Sequence, residues 1–314
     1  MSSWTPSCVR SAHEVPDRRG LSPRTGGPPQ VPGRKRLRAP RSVPQARRLR
    51  PPARPPRHCS AHRLAWVLKG GFALDLRLAD RARTTKDVDL TWRAEEHDPL
   101  DALLDAAGRD LDDYFVLSLE RADTAPDLLG GAHRFRVTAS LAGRPFEAFV
   151  LDVGTQEGPF AGQDLLTTPD LLGFAGIPRV AVPTLSLAAQ VAEKLHAYTR
   201  TYEGGRASTR IKDLVDLALI AEIFPMKATT LRTEIDAVFA RRATHEAPGA
   251  LPPPPPDWRA PYQRLAIVVG LDPDLRAGHG AAAAMLDPVL ARHVTAGSWD
   301  PDSTTWGVSS SRAS

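Results

Sequence analysis

Two aspartates one residue apart, Asp87 and Asp89, lie in the run Asp87-Val88-Asp89-Leu90-Thr91-Trp92, where polar and apolar side chains alternate. In a strand, alternate residues face opposite sides, so Asp87, Asp89 and Thr91 share one face while Val88, Leu90 and Trp92 point into a core. Two carboxylates held side by side repel unless a divalent cation lies between them. Magnesium, a hard ion that keeps waters and accepts substrate phosphates, suits such a pair. A third acid, Asp152, is embedded in the apolar run Phe149-Val150-Leu151-Asp152-Val153, where a lone carboxylate is costly unless it pairs or binds metal. Nucleotidyl transfer needs such a trio, because metal ions must bridge the triphosphate, neutralise charge as the bond breaks and activate the attacking oxygen.

Ahead of the acidic pair, the apolar run Trp66-Val67-Leu68 is followed by Lys69-Gly70-Gly71 and an amphipathic segment. A glycine turn lets the backbone approach phosphate oxygens, and the helix N-terminus that follows offers free amides with positive dipole character. Arg83 and Lys86 flank the acids and are candidate phosphate contacts. Lys194 falls among apolar neighbours (Leu187, Val191 and Tyr198 at helical spacing). Such a lysine either snorkels past a core or points into a cleft. His133 and His196 have no second ligand at metal spacing and read as ordinary polar residues.

The elements that must position these residues follow from periodicity. Phe72–Leu78 reads as a helix with Leu74 and Leu78 on one side, Asp87–Trp92 as a strand, Asp98–Ala107 as a helix and Phe115–Glu120 as a strand. His133–Leu141 and Phe146–Val153 read as a hairpin joined by a longer loop through Gly143-Arg144-Pro145. From Leu187 onward the pattern is helical, over Leu187–Arg200, Ile211–Ile223, Leu231–Arg242 and a last helix between Gly280 and Val294, with the run Pro252–Pro256 as a stiff spacer. The expected organisation is a disordered Arg/Pro-rich leader (1–60), a catalytic core (61–160), a helical C-terminal domain (161–297) and a disordered Ser/Thr-rich tail (298–314).

The net charge of +5 over 314 residues divides unevenly. Residues 1–63 carry 15 of the 41 Lys/Arg against Glu14 and Asp17, a local +13, so the remainder is −8. The leader reads as an unstructured tail rather than a nucleic-acid arm, because Arg/Pro tracts without aromatics specify nothing. No run of about 18 apolar residues marks a membrane span. Both cysteines, Cys8 and Cys59, lie in the leader, which leaves the core without disulfides and fits a reducing cytoplasm.

Four blocks carry a resemblance: Leu68-Lys69-Gly70-Gly71-Phe72-Ala73-Leu74, Arg83-Thr84-Thr85-Lys86-Asp87-Val88-Asp89-Leu90, Ala192-Glu193-Lys194-Leu195-His196-Ala197, and Arg210-Ile211-Lys212-Asp213-Leu214-Val215-Asp216-Leu217. In that order they resemble the nucleotidyltransferases of the AbiEii/AbiGii toxin family, within the DNA polymerase β-like superfamily. The resemblance implies an α+β fold, a mixed sheet with flanking helices followed by a helical domain. It implies Mg2+ held by Asp87, Asp89 and Asp152, with Lys194 facing the triphosphate, and Lys69, Gly70, Gly71, Arg83 and Asp213 at the nucleotide. Asp213 is placed either as the residue that holds Lys194 or as plain structure, and Asp216 as structural. The implied function is transfer of a nucleotide from an NTP to RNA, transfer RNA being plausible. The chain would act as the toxin of an abortive-infection toxin–antitoxin system with a separate antitoxin, in the cytoplasm. Two alternatives use the same residues differently. One is adenylylation of a small molecule such as an antibiotic, which suits the acidic folded part. The other is a non-enzymatic nucleic-acid-binding module tethered by the leader.

Overall fold

The computed structural model describes residues 65–78, 81, 85, 87–94, 98–111, 113–122, 133–158, 160, 162–200 and 210–307. The expected leader, the expected phosphate contacts Arg83 and Lys86, and residues 308–314 lie outside them.

The chain opens with strand β1 (Trp66–Lys69), which runs straight into helix α1 (Gly70–Leu78). Then follow β2 (Asp87–Arg93) and α2 (Pro99–Ala107). Helix α2 starts where Asp98 accepts a hydrogen bond from the Leu100 amide at 2.8 Å and Pro99 supplies a pre-set first turn. Next come β3 (Phe115–Arg121), β4 (His133–Leu141), β5 (Arg144–Gln156), β6 (Gln163–Thr167) and β7 (Ala181–Leu185). These seven strands form one mixed sheet in the order β3-β4-β5-β2-β1-β7-β6. β2 runs parallel to β5, and β1 parallel to β7.

The two faces of this sheet bury different partners. Leu68, Leu90, Trp92, Phe135, Leu151 and Val153 form one apolar cluster with Ala73 of α1 and, at its margin, Leu100 and Leu103 of α2. On the other face Val67 and Leu185 pack with Phe160 and with Ala189 of helix α3 (Leu187–Thr199). Because side chains alternate, the aspartates of β2 fall on this second face, the side that α3 covers.

The larger core is helical. Helices α4 (Ile211–Ile223), α5 (Ala228–Arg242), α6 (Arg259–Val269) and α7 (Leu275–Leu290) join α3 around Leu195, Leu217, Ile220, Ile235, Tyr262 and Met285. Leu74 and Leu78 of α1 also enter this cluster, as their i, i+4 spacing predicts, so α1 ties the sheet to the helices.

Four features differ from the sequence expectation. The β4–β5 connection is a two-residue turn, Ala142-Gly143, with both residues at positive φ (48° and 81°). That is the geometry that matches strand twist in a tight hairpin, and Pro145 lies inside the strand on the exposed side. Strands β6 and β7 extend the sheet past residue 160, into sequence assigned to the helical part. Both are five residues long and their polar-apolar alternation is weak. Helix α6 was also not anticipated, since prolines crowd its start. Finally, residues 298–307, expected to fray, are ordered. Strands β8 (Met226–Lys227), β9 (Ser298–Asp300) and β10 (Thr305–Gly307) make a small second sheet. The Ser/Thr-rich composition conceals two tryptophans. Trp299 is 1% exposed, its indole N–H donates to the Ala221 carbonyl at 2.8 Å, and its ring lies 5.8 Å from that of Trp306.

Truncating Trp299→Ala removes a fully buried ring and an indole hydrogen bond, and is expected to cost about 3–5 kcal/mol. The shift of the urea-unfolding midpoint measures it, and an unchanged midpoint would mean that the terminal strands do not contribute to the core.

Candidate active site

Register across the central strands assembles the site. Lys69 on β1 is the cross-strand partner of Asp89 on β2, Asp89 is the partner of Asp152 on β5, and Asp152 is the partner of Arg134 on β4. Directly opposed residues share a face of the sheet, with strands about 4.8 Å apart. The sheet therefore carries one row, Lys69–Asp89–Asp152–Arg134, with two like charges in the middle and a cation at each end. Asp87, two residues before Asp89, lies on the same face at the exposed start of β2, opposite Val150.

Each end of the row is tightly held. Arg134 forks onto Asp152 with Nε to Oδ1 at 2.7 Å and Nη2 to Oδ2 at 2.8 Å, the geometry of a strong bidentate pair. As the side chains stand, both oxygens of Asp152 face Arg134, and among the described residues no three acid, histidine or cysteine side chains are gathered closely enough to hold an ion. At the other end Lys69 is buried. Burial pushes its ammonium below the ordinary lysine range, Arg242 and Arg241 add to that, and Glu193 and Asp89 oppose it.

Asp89 sits under the strand-to-helix junction. Gly70 has φ +71°, and a Cβ built there would lie 2.1 Å from Asp89 Oδ2. The close approach that glycine permits at this position is thus to the carboxylate of Asp89, and Gly71 begins the first turn of α1 beside it. At Gly154 on β5 a Cβ would stand 3.5 Å from Lys69 Nζ, an ordinary contact, so that position does not require glycine. Burial raises the Asp89 carboxyl above the ordinary aspartate range, Lys69 and Lys194 pull it down, and the neighbouring charges of Asp152 and Asp87 raise it further.

Helix α3, capped by the Ser186 hydroxyl on the Ala189 amide, brings two consecutive charged residues. Lys194 is buried, 7% exposed, and donates to Asp216 at 2.5 Å and to Asp213 at 3.5 Å, both on α4. Asp216, which the sequence reading took as structural, is therefore the nearer holder of Lys194. Asp213 keeps one oxygen, Oδ2, buried and without a hydrogen-bond partner among the described residues. Burial also raises the Asp213 carboxyl, against the pull of Lys194 and Arg210. Glu193 turns the other way, accepting from Arg241 Nη2 at 2.6 Å and Arg242 Nη2 at 2.8 Å on α5. Burial alone would push Glu193 up, yet Arg242, Lys69 and Arg241 outweigh it and hold the carboxyl below its usual range. His196, read as ordinary, meets Thr244 at 2.8 Å and packs against Phe239 and His245; burial and His245 lower it to about 4.

The structure thus brings together Lys69, Gly70, Asp87, Asp89 and Asp152 in one row and its border, with Lys194 close enough to act on Asp89 electrostatically. Sequence reasoning missed Arg134, Asp216 and the Glu193–Arg241–Arg242 group. Arg134 was hidden by a β-bulge at Ala139/Ser140. An unbulged ladder counted from the Ala142-Gly143 turn sets His133 opposite Asp152, and the extra residue moves Arg134 there instead.

The family model described as nucleotidyl transferase AbiEii toxin, type IV toxin–antitoxin system, matches residues 57–292, three-quarters of the chain. The chain belongs to this family of toxins and is a nucleotidyltransferase. Among solved structures it is similar to the nucleotidyltransferase toxin MenT4 of Mycobacterium tuberculosis H37Rv, at 19% identity and a TM-score of 0.42, over 72% of this chain and 84% of that one. A search of curated proteins found no match.

Two outcomes follow from the geometry. Replacing Gly70→Ala forces an L side chain into the left-handed region and into the Asp89 carboxylate. It is expected to cost about 1–2 kcal/mol of stability and about a hundredfold in nucleotide transfer, the scale of an ångström-sized misplacement. Thermal melts and labelled-NTP assays on the same preparation separate the two effects. For Asp89, a carboxyl raised in the fold destabilises when ionised. The variant Asp89→Asn is therefore expected to be more stable than the parent at neutral pH, with an advantage that fades as pH falls toward the ordinary value of 3.8. Unfolding free energies compared between pH 3 and 8 check this, and a difference constant with pH would remove the electrostatic account.

Proposed function

We propose that this chain transfers a nucleotide from an NTP to an RNA acceptor, with Mg2+ held by Asp87, Asp89 and Asp152, as the toxin of an abortive-infection system that has a separate antitoxin. The observation that carries the reading is the register that sets Asp89 beside Asp152 on the sheet face that also bears Asp87. Such a concentration of negative charge in a partly buried place is destabilising on its own, as the raised Asp89 carboxyl records, and is explained by a bound divalent ion.

By donor chemistry the set suits that ion, although as the side chains stand the three carboxylates are not gathered around one point. All three residues offer hard carboxylate oxygens, two from one strand and one from its parallel neighbour. Asp152 fits on condition that it shares an oxygen now given to Arg134. When bound, the metal supplies charge neutralisation on the transferred phosphate and lowers the proton affinity of the attacking hydroxyl.

The chain's own groups do the rest. Lys194, held by Asp216 and Asp213, is a buried cation whose position is fixed before substrate arrives, so little reorganisation is needed to steady a triphosphate. The Oδ2 of Asp213, without a hydrogen-bond partner among the described residues, is the oxygen this reading assigns to a hydrogen bond from the nucleotide. Lys69 balances Asp89 and keeps the acid row from opening. Asp152, released by Arg134, takes the proton from the acceptor hydroxyl as that oxygen bonds to the α-phosphorus and pyrophosphate leaves, and the freed guanidinium offers its fork to phosphate oxygens. Arg83 is assigned to the nucleotide by the family resemblance alone.

The purified chain incubated with α-labelled NTPs, Mg2+ and total cellular RNA is expected to label RNA, and Asp89→Ala to abolish the labelling while circular dichroism stays unchanged. Undiminished labelling by that variant would end the proposal. Label appearing in an added aminoglycoside and not in RNA would replace the acceptor with a small molecule.

A further inference from the structure

Arg241 and Arg242, in the last turn of α5, take no part in the chemistry above. A helix C-terminus favours basic residues in its own right, but neither guanidinium hydrogen-bonds its own helix's carbonyls among the described residues. Both reach across to α3, where each gives one Nη2 to one oxygen of Glu193. A guanidinium has five N–H donors in a planar fork, so most of each fork stays uncommitted among the described residues, and the two side chains are 35% and 44% exposed. One carboxylate shared by two guanidiniums leaves the trio with a net positive charge.

This cationic rim stands next to the acid row. Glu193 is the immediate neighbour of Lys194, and Lys69, the partner of Asp89, lies within electrostatic reach of Glu193, Arg241 and Arg242 as well. Beyond the pair, the same end of the helical region carries Arg200 at the α3 terminus. Everything after residue 63 sums to −8, so a local run of cations beside the site is a departure from the surrounding surface. Cations gathered in this way on an acidic body raise the local concentration of an anionic substrate. The nucleotide's own phosphates already have a candidate partner in the buried Lys194. An exposed pair of forks at the rim suits a phosphate that arrives from outside.

We propose that Arg241 and Arg242 form a phosphate-binding subsite for a phosphodiester of the acceptor strand, with Glu193 fixing both guanidiniums at the edge of the cleft. This rests on the reading of the acceptor as RNA. Arginine pairs recognise phosphate through paired N–H donors that a lysine cannot reproduce. Glu193 here is a positioning residue: it orders two long side chains before the strand binds and tempers their charge.

The test uses the full chain and two probes, a fluorescent single-stranded RNA oligonucleotide and labelled ATP. The fifteen Lys/Arg of residues 1–63 are common to every variant, so differences report on the rim. The double substitution Arg241→Ala/Arg242→Ala is expected to weaken RNA binding about tenfold and to flatten the slope of log affinity against log salt by about 1 to 1.5, the share of two phosphate contacts on a single strand. Half-saturation by ATP stays within about twofold. RNA affinity and slope that do not move overturn the proposal. So does an equal loss in ATP half-saturation, which assigns the arginines to the triphosphate. Should the double variant fold poorly, Arg241→Lys/Arg242→Lys decides: with the charges kept and the paired donors lost, RNA binding is expected to weaken several-fold at a nearly unchanged salt slope, and unchanged binding overturns the subsite. Repeating the RNA titrations in an Asp89→Ala background separates the two proposals. Rim-dependent RNA binding without nucleotide transfer to RNA by the parent keeps the subsite and removes the reading of RNA as the acceptor.

Discussion

Two aspartates on adjacent parallel strands, Asp89 and Asp152, are forced to be neighbours by backbone hydrogen bonding. Strand spacing gives them no room to retreat, and burial denies Asp89 most of its solvation. Much of the surrounding architecture answers that repulsion. Lys69 stands at one side of the pair and Arg134 at the other, each on the next strand along. The glycine at position 70 lets the carboxylate lie against the backbone. Such a cluster lowers stability to retain chemistry, which is the usual sign of a functional site rather than a structural one.

Helix α3 divides its charges between two neighbouring helices. Successive helical residues point about 100° apart, so Lys194 reaches the acids of α4 while Glu193 reaches the arginines of α5. One turn of helix therefore presents a buried, acid-held cation and a half-buried, arginine-bound carboxylate beside the same row of the sheet. The division leaves one cation buried and two guanidiniums partly exposed. A lysine locked by two carboxylates is rigid, and arginines held by one shared carboxylate keep donors to spare. The apolar packing of Leu195 and Leu217 beneath them keeps α3 and α4 in fixed relation.

Some of this was legible in the residues and some was not. The alternation of Asp87 to Trp92 gave β2 and its polar face correctly, and α4 was read with its observed ends, because both segments have a strong period and clear boundaries. The tight hairpin, β6, β7 and α6 escaped notice. A type of turn that places Ala142 at positive φ has no local signature, and five-residue strands between glycines and prolines carry little periodicity. The C-terminal strands were hidden by their Ser/Thr content, although Trp299 and Trp306 pack there. The tie between Lys194 and Asp216 was missed because helix positions 213 and 216 share a face, and only the packing of α3 on α4 chooses between them.

By itself the sequence determined which residues are capable of the chemistry: the acid pair on one strand face, the lone acid in an apolar strand, the glycine junction, and two helical motifs whose order resembles a toxin family that the family model then matched. These are short-range properties, fixed by side-chain type and by the periods of strand and helix. Only the tertiary structure decided which charges meet. A single bulged residue in β4–β5 puts Arg134, and not His133, against Asp152. The crossing of α3 with α4 and α5 gives Lys194 and Glu193 opposite partners. Pairing between distant segments depends on strand register and helix packing, which are settled by the whole buried surface at once and leave no mark in any one stretch of chain.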